Sequence, residues 1–77
     1  MSVLPMLRAT DIIRALQKAG LVIVRQSGSH MQLRHQTDSS RRATVARHSK
    51  DISRKSLASI LKQSKLSAEE FLRLLKN

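Results

Sequence analysis

Apolar positions change their period twice along the chain, from about 3.6 residues to 2 and back again. Ile12, Ile13, Leu16 and Ala19 fall on one helical face, with Arg14, Gln17 and Lys18 opposite. This predicts a helix over residues 10–19, with Thr10 as N-cap, Asp11 at the positive end of the helix dipole and Gly20 as the left-handed stop. The β-branched run 21–26 predicts a strand, and Ser27-Gly28-Ser29 a turn in which Gly28 takes a positive φ. Strict alternation over 30–35 and 42–46 predicts two more strands, joined by the polar turn 36–41. Helical spacing returns after Ser53, an N-cap for 54–64, with Leu57, Ile60, Leu61 and Ser64 inward. Lys65-Leu66 breaks that helix. Ser67-Ala68-Glu69-Glu70 is a capping box that opens a short last helix over 68–76. Residues 1–7 carry no pattern and are interrupted by Pro5; they are expected to form a flexible lead to a single domain over 8–77, and Met6 offers a second start point.

The element order is therefore α-β-β-β-α with a short C-terminal helix. The expected fold is an α+β sandwich in which two helices cover one face of a three-stranded antiparallel meander. Period 2 sorts the strand residues: Met31, Leu33, Ala43 and Val45 go under the helices, while His30, Gln32, Arg34, Arg42 and Thr44 share the wet face. Double-stranded RNA-binding domains have this element order, but order alone does not give function.

Charge sharpens the picture. Fifteen Lys and Arg against five acidic residues give a net charge of +10 in only 77 residues. That imbalance favours a polyanionic partner, nucleic acid first, then an anionic membrane surface or an acidic protein. Nine of the fifteen cations are arginines, the residue that pairs bidentately with phosphate. Phe71 is the sole aromatic residue, so base stacking on sheet aromatics is excluded and binding should rest on backbone charge and shape. No cysteine is present, which excludes disulfides and thiolate metal sites. No apolar run approaches the roughly 20 residues of a membrane span, and a cytoplasmic location is the default expectation.

Few chemistries fit this chain. With two glycines there is no phosphate-binding loop, and neither a nucleophilic triad nor a carboxylate pair is evident. His30 and His35 lie five apart on one strand and point to opposite faces, so no metal-ligand set forms and no cofactor is expected. One reaction asks little of a protein: cleavage of RNA by its own 2′-hydroxyl, which needs a base and phosphate-holding cations. His30 fits the base role, opening a strand on the wet face beside a turn and near Arg34 and Arg42. A surface histidine that merely ends a turn explains the pattern at least as well. His48 is a second candidate, as general acid or phosphate contact, with a plain loop histidine as the alternative. His35 reads as structural. Arg54 and Lys55, at the start of the second long helix, are candidate phosphate contacts, or else a solvated basic turn.

Gly20, then Arg25-x-x-Gly28-Ser29-His30, Leu33-x-His35, Val45-x-x-His48 and Ser56-Leu57-x-x-Ile60-Leu61-Lys62-Gln63 together resemble the HicA toxins of bacterial toxin–antitoxin modules, over about residues 8–75. The sequence has Ala46 where the family usually has proline, and Lys55-Ser56-Leu57 where it often has Gly-Thr-Leu. The resemblance implies a double-stranded RNA-binding-like fold and metal-independent mRNA cleavage that arrests translation. It also implies His30 as the catalytic histidine and a HicB-type antitoxin partner covering the active face. RNA contacts are expected from Gly28, Ser29, Arg34, Arg42, His48, Arg54 and Lys55. A non-catalytic RNA-binding module is the competing expectation.

Overall fold

In the computed structural model, which describes residues 4–47 and 51–76, the order is α1 (Ala9–Lys18), β1 (Leu21–Ser27), β2 (His30–His35), β3 (Arg42–Ala46), α2 (Arg54–Ser64) and α3 (Ala68–Lys76). The three strands form one antiparallel sheet in the order β1-β2-β3. This is the expected α+β architecture, with α3 packed on α1 and α2 on β3.

The alternation of β2 and β3 sets the two faces. Met31, Leu33, Ala43 and Val45 are buried with Ile12, Leu16, Leu57, Ile60, Leu61 and Phe71 in one continuous core. The intervening residues His30, Gln32, Arg34, Arg42 and Thr44 are exposed. Fully burying a Leu or Phe side chain contributes roughly 1.5–3 kcal/mol, so this one layer of side chains drives the fold. Ser64 is the one buried polar residue among the described residues, and its hydroxyl donates to the Ile60 carbonyl at 2.8 Å.

The helix ends follow local chemistry. Ser53 caps α2, its hydroxyl accepting from the Ser56 amide at 3.1 Å, and Lys65 closes the helix in the left-handed region at φ 59°. At α3 the capping box is complete: Glu70 N–H donates to the Ser67 hydroxyl, and Ser67 N–H to the Glu70 carboxylate. The start of α1 differs from expectation. The helix begins at Ala9, with Arg8 rather than Thr10 at the N-cap and no side-chain cap. Ala9 is 2% exposed, and its burial against the core adds a residue to the helix ahead of Thr10. Gly20 has φ +97°, as a left-handed stop requires.

β1 departs most from simple alternation. Its pairing with β2 slips between Ile23 and Arg25, so Val24 is an extra residue in a β-bulge. Leu21 alone of this strand is buried, and Val22, Ile23 and Val24 remain exposed on the edge. The segment before α1 is tied to the body. Ile52 N–H donates to the Leu7 carbonyl at 2.7 Å, and Leu4 and Leu7 pack against the core.

Candidate functional site

His30 is positioned by a tight turn between β1 and β2. Ser27 and His30 are a directly paired rung, leaving Gly28 and Ser29 as a two-residue turn. Gly28 has φ +58° while Ser29 is not in the positive region, the combination of a type II′ turn. That turn matches the right-handed twist of the strands, which fixes the register of β2 and hence the face of His30. A Cβ at Gly28 would meet nothing within 4 Å, so the surface above the turn is open. On the other side, His30 pairs with Ala46 of β3, and the Ser29 carbonyl accepts from the Arg47 amide. The imidazole thus stands at the first residue of the middle strand, exposed, on backbone held from both sides.

A cavity of about 490 Å³ opens between His30 and α2. Thr44 and Ala46 supply its strand wall, Ile52 and Ile60 its apolar floor, and Ser56, Ser59 and Gln63 a polar helix wall. Asp51 brings a carboxylate to the same cavity. A neighbouring groove of about 440 Å³ runs along the sheet, lined by Gln32, Arg34, Arg42 and Val24. Thr44 and Gln63 border both spaces, so the two form one track across the open face.

The arginines lie along that track rather than around the imidazole. Arg34 and Arg42 are cross-strand partners, four rungs beyond the His30–Ala46 rung and on the same face. Four residues of strand separate the Cα atoms of His30 and Arg34 by about 13 Å, which sets the arginine pair further along the track. Like charges directly opposite on a sheet repel. Neither guanidinium makes an ion pair or side-chain hydrogen bond among the described residues, a standing charge that suits an incoming anion.

The two residues opening α2 divide. Arg54 Nε donates to the Leu4 carbonyl at 2.9 Å, anchoring the N-terminal segment across fifty residues of sequence. That bond engages one edge of its guanidinium in holding the fold. Lys55 is exposed, and helix geometry sets Lys55 and Lys62 in one stripe, seven residues apart, beside the cavity wall. His48 lies outside the described residues. His35 is structural: its Nδ1 accepts from the Thr37 and Asp38 amides at 3.2 and 3.1 Å, and its Nε2 lies 2.9 Å from where a Cβ on Gly20 would stand.

Sequence reasoning missed the α2 wall. Ser56, Ser59 and Gln63 recur at helical spacing beside the buried stripe, a polar signal that only the docking of α2 along β3 turns into a site. It also missed Val24, which the bulge turns onto the groove.

The sequence matches the family model described as the HicA toxin of bacterial toxin–antitoxin systems over residues 9–66, well over half of the chain. The chain belongs to the HicA toxin family. No curated protein matches it at a comparable level. The HicA match takes in α1 through the end of α2, and therefore both walls of the cavity. Membership gives the chain the role of the toxin in a toxin–antitoxin pair, and so an antitoxin partner. No group of three His, Cys, Asp or Glu side chains that could hold a metal ion occurs among the described residues of this HicA protein. No described helix is long and apolar enough to cross a membrane.

Proposed function

We propose that this HicA-family chain is a metal-independent endoribonuclease that cleaves mRNA, arrests translation and is held inactive by a HicB-type antitoxin. The observation that carries the reading is the placement of His30, exposed on the rim of a cavity and at the head of a basic track. The nucleophile comes from the substrate. The His30 imidazole takes the proton from a 2′-hydroxyl, and the freed oxygen attacks the adjacent phosphorus. The bond to the 5′-oxygen breaks, leaving a 2′,3′-cyclic phosphate on one product. The other product is a 5′-hydroxyl, whose proton comes from the His30 imidazolium or from water.

Positioned acid–base catalysis of this kind contributes on the order of 10²–10⁴ in rate. The cations divide the work by distance. The open turn at Gly28 and Ser29 lets the RNA backbone approach His30, and Arg34 and Arg42 bind phosphates further along the strand. Lys55 flanks the α2 wall. Arg54 acts mainly as an anchor, and a phosphate contact is left to its remaining N–H groups. An antitoxin that inactivates this site covers His30 and meets the basic face with acidic groups.

The test is incubation of the pure protein with RNA and a chelator. Wild type is expected to cut, and His30→Ala to lose cutting by at least about 100-fold while keeping its fold and its antitoxin affinity. RNA with a single 2′-deoxy nucleotide at the cut site should bind and survive. Full cleavage by His30→Ala, or cleavage of the deoxy substrate, would refute the mechanism. Intact RNA after long incubation with wild type would favour a non-catalytic RNA-binding module.

A further inference from the structure

We propose that the cavity between β3 and α2 is a nucleobase pocket, which receives one unstacked base of single-stranded RNA beside the phosphate presented to His30. The inference rests on the endoribonuclease reading and adds the class of RNA and the residues that select it.

Three observations carry it. The cavity's volume, about 490 Å³, falls in the range of small-molecule sites, roughly 300–1,000 Å³, which is far more than a phosphate requires. Its chemistry is that of a base site: Ile52, Ile60 and Ala46 offer apolar contact to a ring face, while Ser56, Ser59 and Gln63 offer hydrogen-bonding groups to a ring edge. The Gln63 amide is also steadied, its Nε2 donating to the Ser59 hydroxyl at 3.3 Å. Among the described residues no arginine or lysine lines this cavity, whereas Arg34 and Arg42 line the groove next to it. Apolar and amide groups are therefore segregated from cationic ones, as bases are from phosphates along a nucleic acid strand.

Connectivity sets the direction. Thr44 and Gln63 border both spaces, so a strand with its base in the cavity and its scissile phosphate at His30 leads its next phosphates toward Arg34 and Arg42. A base in an A-form helix is stacked and its major-groove edge hidden, so it cannot enter. The substrate is then unpaired RNA, despite an element order shared with domains that read duplexes.

The experiment compares kcat/KM on four single-stranded oligonucleotides that differ only at the nucleotide beside the cut, and on a duplex of the best of them. Wild type is expected to prefer one base and to cut the duplex at least about 10-fold more slowly. Gln63→Ala, at an exposed position, is expected to flatten the preference by about 10-fold, and Ser59→Ala to flatten it less. A preference profile unchanged in both variants overturns the pocket while leaving the nuclease reading intact. Equal cleavage of duplex and single strand also overturns it. So does a Gln63→Ala protein altered only in antitoxin affinity, which would assign the cavity to the protein partner. If wild type cuts none of the five RNAs, it is the nuclease reading that fails.

Discussion

Replacing Arg42 by Gln should make the protein more stable and a poorer RNA binder at once. Arg34 and Arg42 are direct cross-strand partners on the exposed face, which puts their Cβ atoms about 4.5–5.5 Å apart. Cross-strand charge pairs contribute roughly 0.2–1 kcal/mol, and here the sign is unfavourable because both are cationic. Solvent screening pulls the value toward the lower end, so a gain of about 0.5 kcal/mol is expected in low salt, or about 2–4 °C in Tm for a domain of this size. In 1 M salt the Debye length falls to about 3 Å and the gain should vanish. On single-stranded RNA, losing one phosphate contact should reduce the slope of log K against log salt by about 0.7. Urea denaturation in 20 mM and 1 M NaCl reads the first effect. Fluorescence anisotropy with labelled RNA across a salt series reads the second, in a His30→Ala background so that the RNA survives. Destabilisation by Arg42→Gln in low salt would refute the cross-strand repulsion, and an unchanged salt slope would refute the assignment of this pair to phosphate binding.

Gly20→Ala should cost about 2–4 kcal/mol, from a φ of +97° and from a Cβ 2.9 Å from His35 Nε2. Part of that cost should disappear in the Gly20→Ala/His35→Ala double variant, so urea denaturation of the full cycle should show a coupling of about 1 kcal/mol, and strict additivity would contradict the contact. Acid should weaken the fold through Glu70 and Asp38. Hydrogen bonds from the Ser67 amide and hydroxyl hold the Glu70 carboxyl below its usual value, and hydrogen bonds from Ser40 do the same for Asp38. A depressed carboxyl pKa adds stability above its unfolded value and loses it as pH falls through the folded one, so the loss belongs below about pH 4. Ser67→Ala should cost about 1 kcal/mol at pH 7 through the lost cap bond from the Glu70 amide and somewhat less at pH 2.5, where the carboxylate bond is already gone, compared by denaturant titration at both pH values.

The parts of the fold that were legible in the sequence are those where local periodicity has no rival. Alternation in β2 and β3 assigned both faces, because each strand has a buried and an exposed row and period 2 admits no ambiguity. The caps at Ser53 and Ser67 were equally local, since donor and acceptor lie three residues apart. β1 was harder. Leu21-Val22-Ile23-Val24 is apolar at every position, so the sequence carries no phase, and the bulge at Val24 follows from pairing rather than composition. The site divides in the same way. His30 could be placed from its own strand and turn. Ser59 and Gln63 face His30 only because α2 docks along β3, and the bond from Arg54 goes to a carbonyl fifty residues away that no side-chain pattern marks.

The position of Phe71 bears on how this protein is made. It is completely buried, it is the sole aromatic residue, and it sits in α3, which follows the sheet and α2 in the chain. The hairpins carrying His30 are synthesised well before the helices that complete the core, and α2, which walls the cavity, also comes after them. A growing chain therefore carries the imidazole without the packing that fixes it. Translation adds about 5–20 residues per second, so the forty-one residues from Met31 to Phe71 correspond to several seconds at the lower rate. The core that holds the cavity beside His30 is therefore complete only at the end of that interval.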